Sequence, residues 1–292
     1  MKLAALLLVL PALAFADDDP PTVGEEIIRV SDNNYYVESV STSGMSTTTR
    51  SYRSVSKGWM IIEGQEVGAE LRFLTAPTLS FTDVMLLTLR GRIAVGKRVD
   101  AFVAVDLLPK QPSTTDELVW QSASLGINTQ PWDKPVALHA KGAGGVMLDR
   151  TGYWGQAQVG AIARKQLHEI MLFEGGLSAL GTRLSPDAGE RAWLAEAVLA
   201  GSVLFHDPEG WTGGWLGFHY SLPLAHDGAI DPQPRIDVEL GVVLSFVKHW
   251  DVFGRFAVID RGDADQMATQ LPILDGGFDQ KQAVFGVTYH SD

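Results

Sequence analysis

Apolar and polar residues alternate one for one along the stretch RIDVELGVVLSF, residues 235–246. Ile236, Val238 and Leu240 occupy every second position, and Asp237 and Glu239 lie between them. Successive side chains of a β-strand point to opposite faces, so this period predicts a strand with one apolar and one polar face. A connection of about three residues joins it to a second apolar-rich run, 250–260, which predicts an antiparallel hairpin.

The same alternation recurs along the chain from residue 65 and predicts about twelve strands. A helix competes with a strand at one place, the stretch AGERAWLAEAVLAGSVLF, because Ala, Glu and Leu favour helices. Its apolar residues still recur at every second position from Trp193 to Phe205, which favours a strand. The predicted strands are 65–75, 81–96, 97–108, 118–128, 136–148, 153–164, 166–184, 191–206, 211–224, 235–246, 250–260 and 282–290.

The predicted connections alternate between long and short. The long ones are the odd-numbered connections, 109–117, 185–190, 225–234 and 261–281, and the short ones include Gly96-Lys97. Long and short connections therefore lie at opposite ends of an up-and-down antiparallel sheet, as in transmembrane β-barrels. The fold class predicted is all-β, an up-and-down antiparallel transmembrane β-barrel.

The first residues, MKLAALLLVLPALAFA, combine a lysine, a short apolar run and a small-x-small end. They predict a secretory signal peptide at 1–16, since the run is short for a spanning helix. Residues 17–57 are acidic, then rich in Ser and Thr, and predict a flexible periplasmic lead-in. The barrel domain is then expected at 58–292.

Composition narrows the function. The chain has no cysteine, so neither a disulfide nor a thiolate metal site is available, and its seven histidines show no metal-ligand spacing. The net charge of −12 argues against nucleic acid as a partner. No cofactor and no metal are expected. Beyond the signal peptide no apolar run is long enough for a spanning helix, which leaves strands as the only membrane-spanning elements.

Residues 58–290 resemble the Gram-negative outer membrane β-barrel proteins, a porin-like class. The resemblance rests on the signal peptide, the alternation, the connection lengths and the closing strand QAVFGVTYH; the chain departs from the class by ending in HSD instead of Phe or Trp. It implies an outer membrane location and a passive channel or structural membrane protein. The partners it implies are outer membrane lipids and the barrel-assembly machinery. A secreted soluble β-sandwich or lipocalin-like binding protein is the alternative, because it would bury the same apolar face in a core.

The two faces of the predicted strands assign residues to the lumen and to lipid. Lumen-lining positions are Glu70, Arg72, Arg90, Arg92, Asp100, Asp106, His139, Lys141, Gln156, Gln158, Arg164, Glu196, Asp237 and Glu239. Lipid-facing positions are Leu87, Leu89, Val103, Val105, Val238, Leu240, Val242, Leu244, Phe285 and Val287. Such a lumen either holds a narrow water-filled path or closes through internal salt bridges. Aromatic girdles are expected from Trp120, Trp132, Tyr153, Trp154, Trp193, Trp211, Trp215, Tyr220, Trp250 and Tyr289.

One pair could carry catalysis. His219 and Ser221 lie two residues apart on one face, the spacing at which a base can reach a hydroxyl on a strand. A lipid-modifying barrel hydrolase is therefore a lower-ranked alternative. The face assignment turns both residues toward the lumen, and no polar partner is clearly placed to orient the imidazole. No enzymatic activity is expected.

Overall fold

The structure is a computed structural model of the chain. The described residues are 36–38, 49–51, 61–62, 64–76, 79–108, 119–147, 152–168, 170–187, 189–206, 212–228, 233–247, 249–260 and 281–291. The predicted signal peptide, 1–16, and most of the predicted lead-in, 17–57, lie outside them. None of the described residues forms a helix long and apolar enough to cross a membrane.

Twelve strands, β3 to β14, close into one barrel in which every neighbouring pair is antiparallel and successive strands are neighbours. The prediction of an all-β, up-and-down barrel of about twelve strands is confirmed. The strands are β3 (Gln65–Ala76), β4 (Leu79–Gly96), β5 (Val99–Leu108), β6 (Val119–Thr129), β7 (Val136–Val146), β8 (Gly152–His168), β9 (Met171–Pro186), β10 (Ala192–His206), β11 (Thr212–Asp227), β12 (Arg235–Val247), β13 (Trp250–Asp260) and β14 (Lys281–His290).

The barrel closes where its last strand pairs with its first. β14 and β3 are antiparallel, and Phe285 lies opposite Leu71 in their register. Upstream of the barrel, β1 (Tyr36–Glu38) and β2 (Thr49–Ser51) form a separate antiparallel pair. The barrel sheet therefore has no free edge, which a sheet in lipid requires because no water is there to bond an unpaired backbone group.

The two ends of the barrel differ in the length of their connections. At the short-turn end the connections are 97–98, 130–135, 169–170, 207–211 and 248–249. At the long-loop end they are 77–78, 109–118, 147–151, 187–191, 228–234 and 261–280. The predicted asymmetry is present in part: connections of seven to twenty residues, 109–118, 228–234 and 261–280, all lie at the long-loop end, whereas 77–78, 147–151 and 187–191 at that end are no longer than the six-residue connection 130–135 at the other. The turn at the start of β13 is tight because His249 adopts the left-handed conformation, with φ of 69°.

Strand boundaries differ most from the prediction around residues 164–171. β8 continues to His168, and the turn to β9 lies at 169–170 instead of near 165. The polar residues after Arg164 still pair with β9, with one register shift between Gln166 and His168. A run of polar residues therefore does not locate the turn between β8 and β9. β9 is continuous through its glycines, and β10 is a strand as the alternation favoured.

Closure of the barrel predicts a specific crosslink. Residues directly opposite in an antiparallel pair have Cα atoms about 4.5–5.5 Å apart, within the range a disulfide spans. Cysteines introduced at Leu71 and Phe285 should therefore form a disulfide on mild oxidation, detected as a reductant-sensitive shift on a denaturing gel. The chain has no other cysteine to interfere.

The matched control pairs Leu71→Cys with Val238→Cys on β12, a strand that does not neighbour β3. It should stay reduced under the same conditions. Equal crosslinking of both pairs, or of neither, would contradict the β14–β3 seam.

Candidate functional site in the barrel lumen

The predicted lumen residues lie on the inner wall. Each alternates with outward-facing neighbours on its strand, and Arg90 is the least enclosed of them, with 11% of its side chain exposed. The residues so placed are Glu70, Arg72, Arg90, Arg92, Asp100, Asp106, His139, Lys141, Gln156, Gln158, Arg164, Glu196, Asp237 and Glu239. Charged side chains this deeply enclosed need partners, because removing them from water costs several kcal/mol each.

Asp100 holds a group of donors at the short-turn end of the lumen. Arg92 donates to both of its oxygens, from Nε at 3.0 Å and from Nη2 at 2.7 Å, and Asn128 Nδ2 donates at 2.8 Å. The backbone N–H of Ile62 donates to Oδ2 at 3.3 Å. Ile61 and Ile62 are both buried although they precede the first barrel strand. Ile61 and Ile62 therefore lie inside the short-turn end.

Glu70 pairs with two arginines. Arg72 Nη2 lies 2.9 Å from its Oε2, and Arg90 Nη1 lies 2.6 Å from its Oε1. Arg90 also donates to Thr288 Oγ1 at 3.1 Å, and its guanidinium lies 5.3 Å from the centre of the Phe253 ring. Because Arg90 is on β4 and Phe253 on β13, this side chain bridges the lumen over three strand spacings.

Further pairs follow along the wall. Asp106 accepts a hydrogen bond from Thr88 Oγ1 at 2.6 Å and another from Ser122 Oγ. Arg164 Nε donates to Glu174 Oε1 at 2.5 Å, and the two residues are register partners on β8 and β9. Among the described residues no group of three or more histidine, aspartate or glutamate side chains could hold a metal ion.

Several inner-wall residues were absent from the sequence prediction. One of them is Arg255, whose Nη1 donates to the predicted Glu239 at 3.0 Å; Trp215 Nε1 donates to the same carboxylate at 2.8 Å. The other unpredicted charged residues buried there include Glu66, Glu174, Arg235 and Asp251. Parity could have found Arg255 and Asp251, which share a face of β13. The apolar Phe253 lies between them on that face and hides the alternation.

Apolar side chains close the lumen as well. Phe102 on β5 packs against Leu180 on β9 and Val198 on β10, across four to five strand spacings of a barrel of twelve. The Phe102 ring has room because its register partner is glycine: a Cβ at Gly126 would lie 2.3 Å from the ring. A second cluster, nearer the short-turn end, joins Leu172, Leu204, Trp215, Val243, Phe253 and Val284. Among the described residues, apolar side chains therefore meet across the lumen.

The predicted lipid-facing residues lie on the outer wall. Val103, Val238, Leu240, Val242 and Phe285 are exposed, and Leu87, Leu89, Val105, Leu244 and Val287 are half-buried. Two residues expected in the aromatic girdles are not there. Trp154 and Trp215 are buried inside the barrel, where Trp154 Nε1 donates to the Val146 carbonyl at 3.1 Å. Each lies an even number of positions from inward-facing residues of its strand, as Trp154 does from Gln156, and so points inward. The expectation of a girdle position was therefore wrong, and the alternation in the sequence already indicates the inward face.

The weak catalytic pair has a neighbour that the sequence did not reveal. His219 Nδ1 lies 3.8 Å from Asp237 Oδ2, because the two residues are register partners on β11 and β12. Asp237 also lies 3.1 Å from Arg235 Nε. Ser221 Oγ makes no hydrogen bond within the described part of the chain, and both His219 and Ser221 are buried. The geometry brings an acid to the histidine and leaves the hydroxyl apart from it and shielded from substrate.

Comparison with known proteins gives structural likeness alone. No protein-family model matches the sequence, and no curated protein is similar to it. The backbone is similar to the KdgM porin, with a TM-score of 0.44 and 8% identity over 78% of this chain and 99% of that one. It is similar to the CymD monoaromatic hydrocarbon channel, with a TM-score of 0.44 and 9% identity over 79% and 88% of the chains. It is also similar to the translocator domain of the autotransporter NalP from Neisseria meningitidis, with a TM-score of 0.44 and 14% identity over 78% of this chain and 88% of that one.

The Arg164–Glu174 pair yields a test of the lumen network. Replacing Arg164 by Met leaves the Glu174 carboxylate buried without its cation, which costs about 3–5 kcal/mol of unfolding free energy. The double variant Arg164→Met, Glu174→Leu should recover most of that loss, since neither charge then remains. Urea unfolding in detergent micelles measures both values.

Lys165→Gln is the matched control, because Lys165 is the next residue along β8 and is exposed on the outer wall. Its unfolding free energy should stay within about 0.5 kcal/mol of the original. A double variant that is no more stable than Arg164→Met would contradict the pairing.

Proposed function

We propose that the protein is an outer membrane β-barrel of the porin-like class whose channel is closed in the state described. The observation that carries the proposal is the inverted distribution of its residues. Charged side chains such as Asp100 and Arg164 are buried inside, and large apolar side chains cover the outside. A barrel in water would have the opposite arrangement, whereas a barrel in lipid requires this one.

The apolar outer surface extends around the barrel. Every barrel strand except β7 carries a large apolar residue that is at least 41% exposed. One example from each is Leu71, Ile93, Val103, Leu125, Val159, Leu177, Leu199, Leu216, Leu240, Val252 and Phe285. Exposed apolar area on this scale marks a membrane or an interface, and its continuity around a closed wall supports lipid as the environment.

Aromatic residues support an orientation. Trp250 and Tyr289 lie at the short-turn end with ring centres 5.2 Å apart, and Tyr153 and Trp193 lie at the long-loop end. Rings of this kind favour the two interfaces of a bilayer. In outer membrane barrels the short turns face the periplasm. The proposal therefore places the lead-in, which joins the barrel at the short-turn end, in the periplasm.

The alternatives explain less. A soluble β-sandwich or lipocalin-like protein would bury the apolar set, yet residues such as Val238 and Leu240 are exposed. A hydrolase that uses His219 and Ser221 needs a hydroxyl in contact with both base and substrate, and Ser221 meets neither requirement. We therefore propose no enzymatic activity. Export by the predicted signal peptide, assembly by the barrel-assembly machinery and contact with outer membrane lipids belong to the same proposal, with no nucleic-acid partner.

Lipid contact predicts a depth-dependent penalty for a charge on the outer wall. Leu240 lies in the middle of β12, so Leu240→Arg should destabilise the barrel in vesicles by about 2–4 kcal/mol. Leu224 lies near the long-loop end of β11, so Leu224→Arg should cost only about 0–1 kcal/mol. Urea unfolding in phosphatidylcholine vesicles measures both. Equal costs at the two depths would refute the membrane-spanning arrangement.

The closed lumen predicts an electrical result. In a planar bilayer the protein should insert without steady conductance, because Phe102, Leu180 and Val198 pack together across the lumen of the proposed closed state. The variant Phe102→Ala, Leu180→Ala removes this layer and leaves the second cluster in place, so it should raise the frequency of brief conductance events above that of the original protein. Leu199→Ala, on the outer face of the same strand as Val198, should remain silent. Large steady conductance from the original protein would show that the lumen is open.

A further inference from the structure

A cation, Arg183, lies on the apolar outer wall near the long-loop end. Arg183 on β9 is exposed and outward-facing, since its neighbours Thr182 and Leu184 are buried inside. Its register partner on β10 is Trp193, and Tyr153 lies on β8 opposite Ser185, one outward position further along β9. Both aromatic side chains are largely exposed, Trp193 at 43% and Tyr153 at 61%.

Arg183 differs from the arginines of the lumen. Inside, a guanidinium such as that of Arg164 is held by a carboxylate from the neighbouring strand. Arg183 makes no hydrogen bond or ion pair with any residue in the described part of the chain. Its five N–H donors thus have no partner among the described residues, and its side chain is exposed on the outside of the wall.

The wall beside Arg183 has room for such a group. The partner of Arg183 on β8 is Gly155, and a Cβ built there would meet only the Ala143 carbonyl, at 3.9 Å. The guanidinium is thus flanked by an aromatic ring on β10 and by open space on β8. The exposed acids Asp187 and Glu190 belong to the connection beyond Pro186, on the aqueous side of this position.

We propose that Arg183, with Trp193 and Tyr153, binds the phosphate group of an anionic lipid in the leaflet at the long-loop end. A guanidinium recognises phosphate through paired charged hydrogen bonds, and Trp and Tyr favour the depth at which lipid headgroups lie. Charge complementarity selects the occupant, because an apolar or cationic ligand would leave Arg183 unpaired. The inference rests on the proposed function, since it requires that the barrel spans a membrane.

The test uses Trp193 as a local reporter. The protein is refolded into phosphatidylcholine vesicles that contain either brominated phosphatidylglycerol or brominated phosphatidylcholine at equal mole fraction. The part of the tryptophan quenching that disappears in Trp193→Phe reports lipid at this site. One cationic side chain near an anionic headgroup should favour phosphatidylglycerol roughly fivefold in relative binding.

Substitutions at two cations separate the site from general attraction. Arg183→Gln should bring the ratio of the two quenching constants to about one, and Arg183→Lys should retain part of the preference. Lys165→Gln removes an outward cation at the short-turn end and should leave the ratio at Trp193 unchanged.

The outcomes distinguish this inference from the proposed function. A barrel that inserts, shown by heat-modifiable migration on gels, yet shows no preference, or the same preference in Arg183→Gln, overturns the lipid site and leaves the membrane barrel in place. Failure to float with vesicles and to show heat-modifiable migration overturns both. Loss of preference on Lys165→Gln would also overturn the site, because the selectivity would then reflect overall charge.

Discussion

The pairing of every barrel strand with two neighbours is the constraint on which the rest of the structure depends. In lipid an unpaired backbone N–H or carbonyl has no water to bond, so a spanning sheet must close on itself. The seam that closes it joins β14 to β3, the last strand to the first. No disulfide can hold this seam, since the chain has no cysteine. Closure therefore depends on the backbone hydrogen bonds between the strands and on side chains whose inward and outward positions match that register.

The charged residues of the lumen specify the register in which the strands pair. Buried ion pairs contribute little net stability compared with well-packed apolar residues, so the Arg164–Glu174 pair is not explained by stability alone. The buried charges instead make a shifted strand register costly. A one-residue slip of a strand exchanges its two faces, and it would place an inward cation such as Arg255 in lipid at a cost of about 2–4 kcal/mol near the midplane. Charges inside and apolar residues outside thus fix the register of every strand that carries them.

The same two-faced pattern explains what the sequence could predict. Where one face is uniformly apolar, as in β12, alternation located the strand and placed Asp237 and Glu239 on the inner wall. It failed where a large apolar residue shares the inner face with polar residues. Trp154 and Trp215 point inward with polar neighbours, and their size suggested an interface position that their parity excludes. The cross-lumen contact of Phe102 with Leu180 was not accessible either, because it depends on the curvature of the barrel and not on any local spacing.

In the proposed closed state, side chains and not the wall fill the lumen, and this decides how the barrel can open. Moving a strand would break its backbone ladder on both sides, at about 1 kcal/mol for each of many hydrogen bonds. Rotating the Phe102 ring away from Leu180 and Val198 forfeits at most the packing of one aromatic side chain, about 3–5 kcal/mol. At the short-turn end, the backbone N–H of Ile62 donates to Asp100, whose oxygens keep Arg92 and Asn128 as donors if Ile62 departs. Opening is therefore cheaper through side chains and the chain upstream of β3 than through the twelve-stranded wall, which can stay closed on itself throughout.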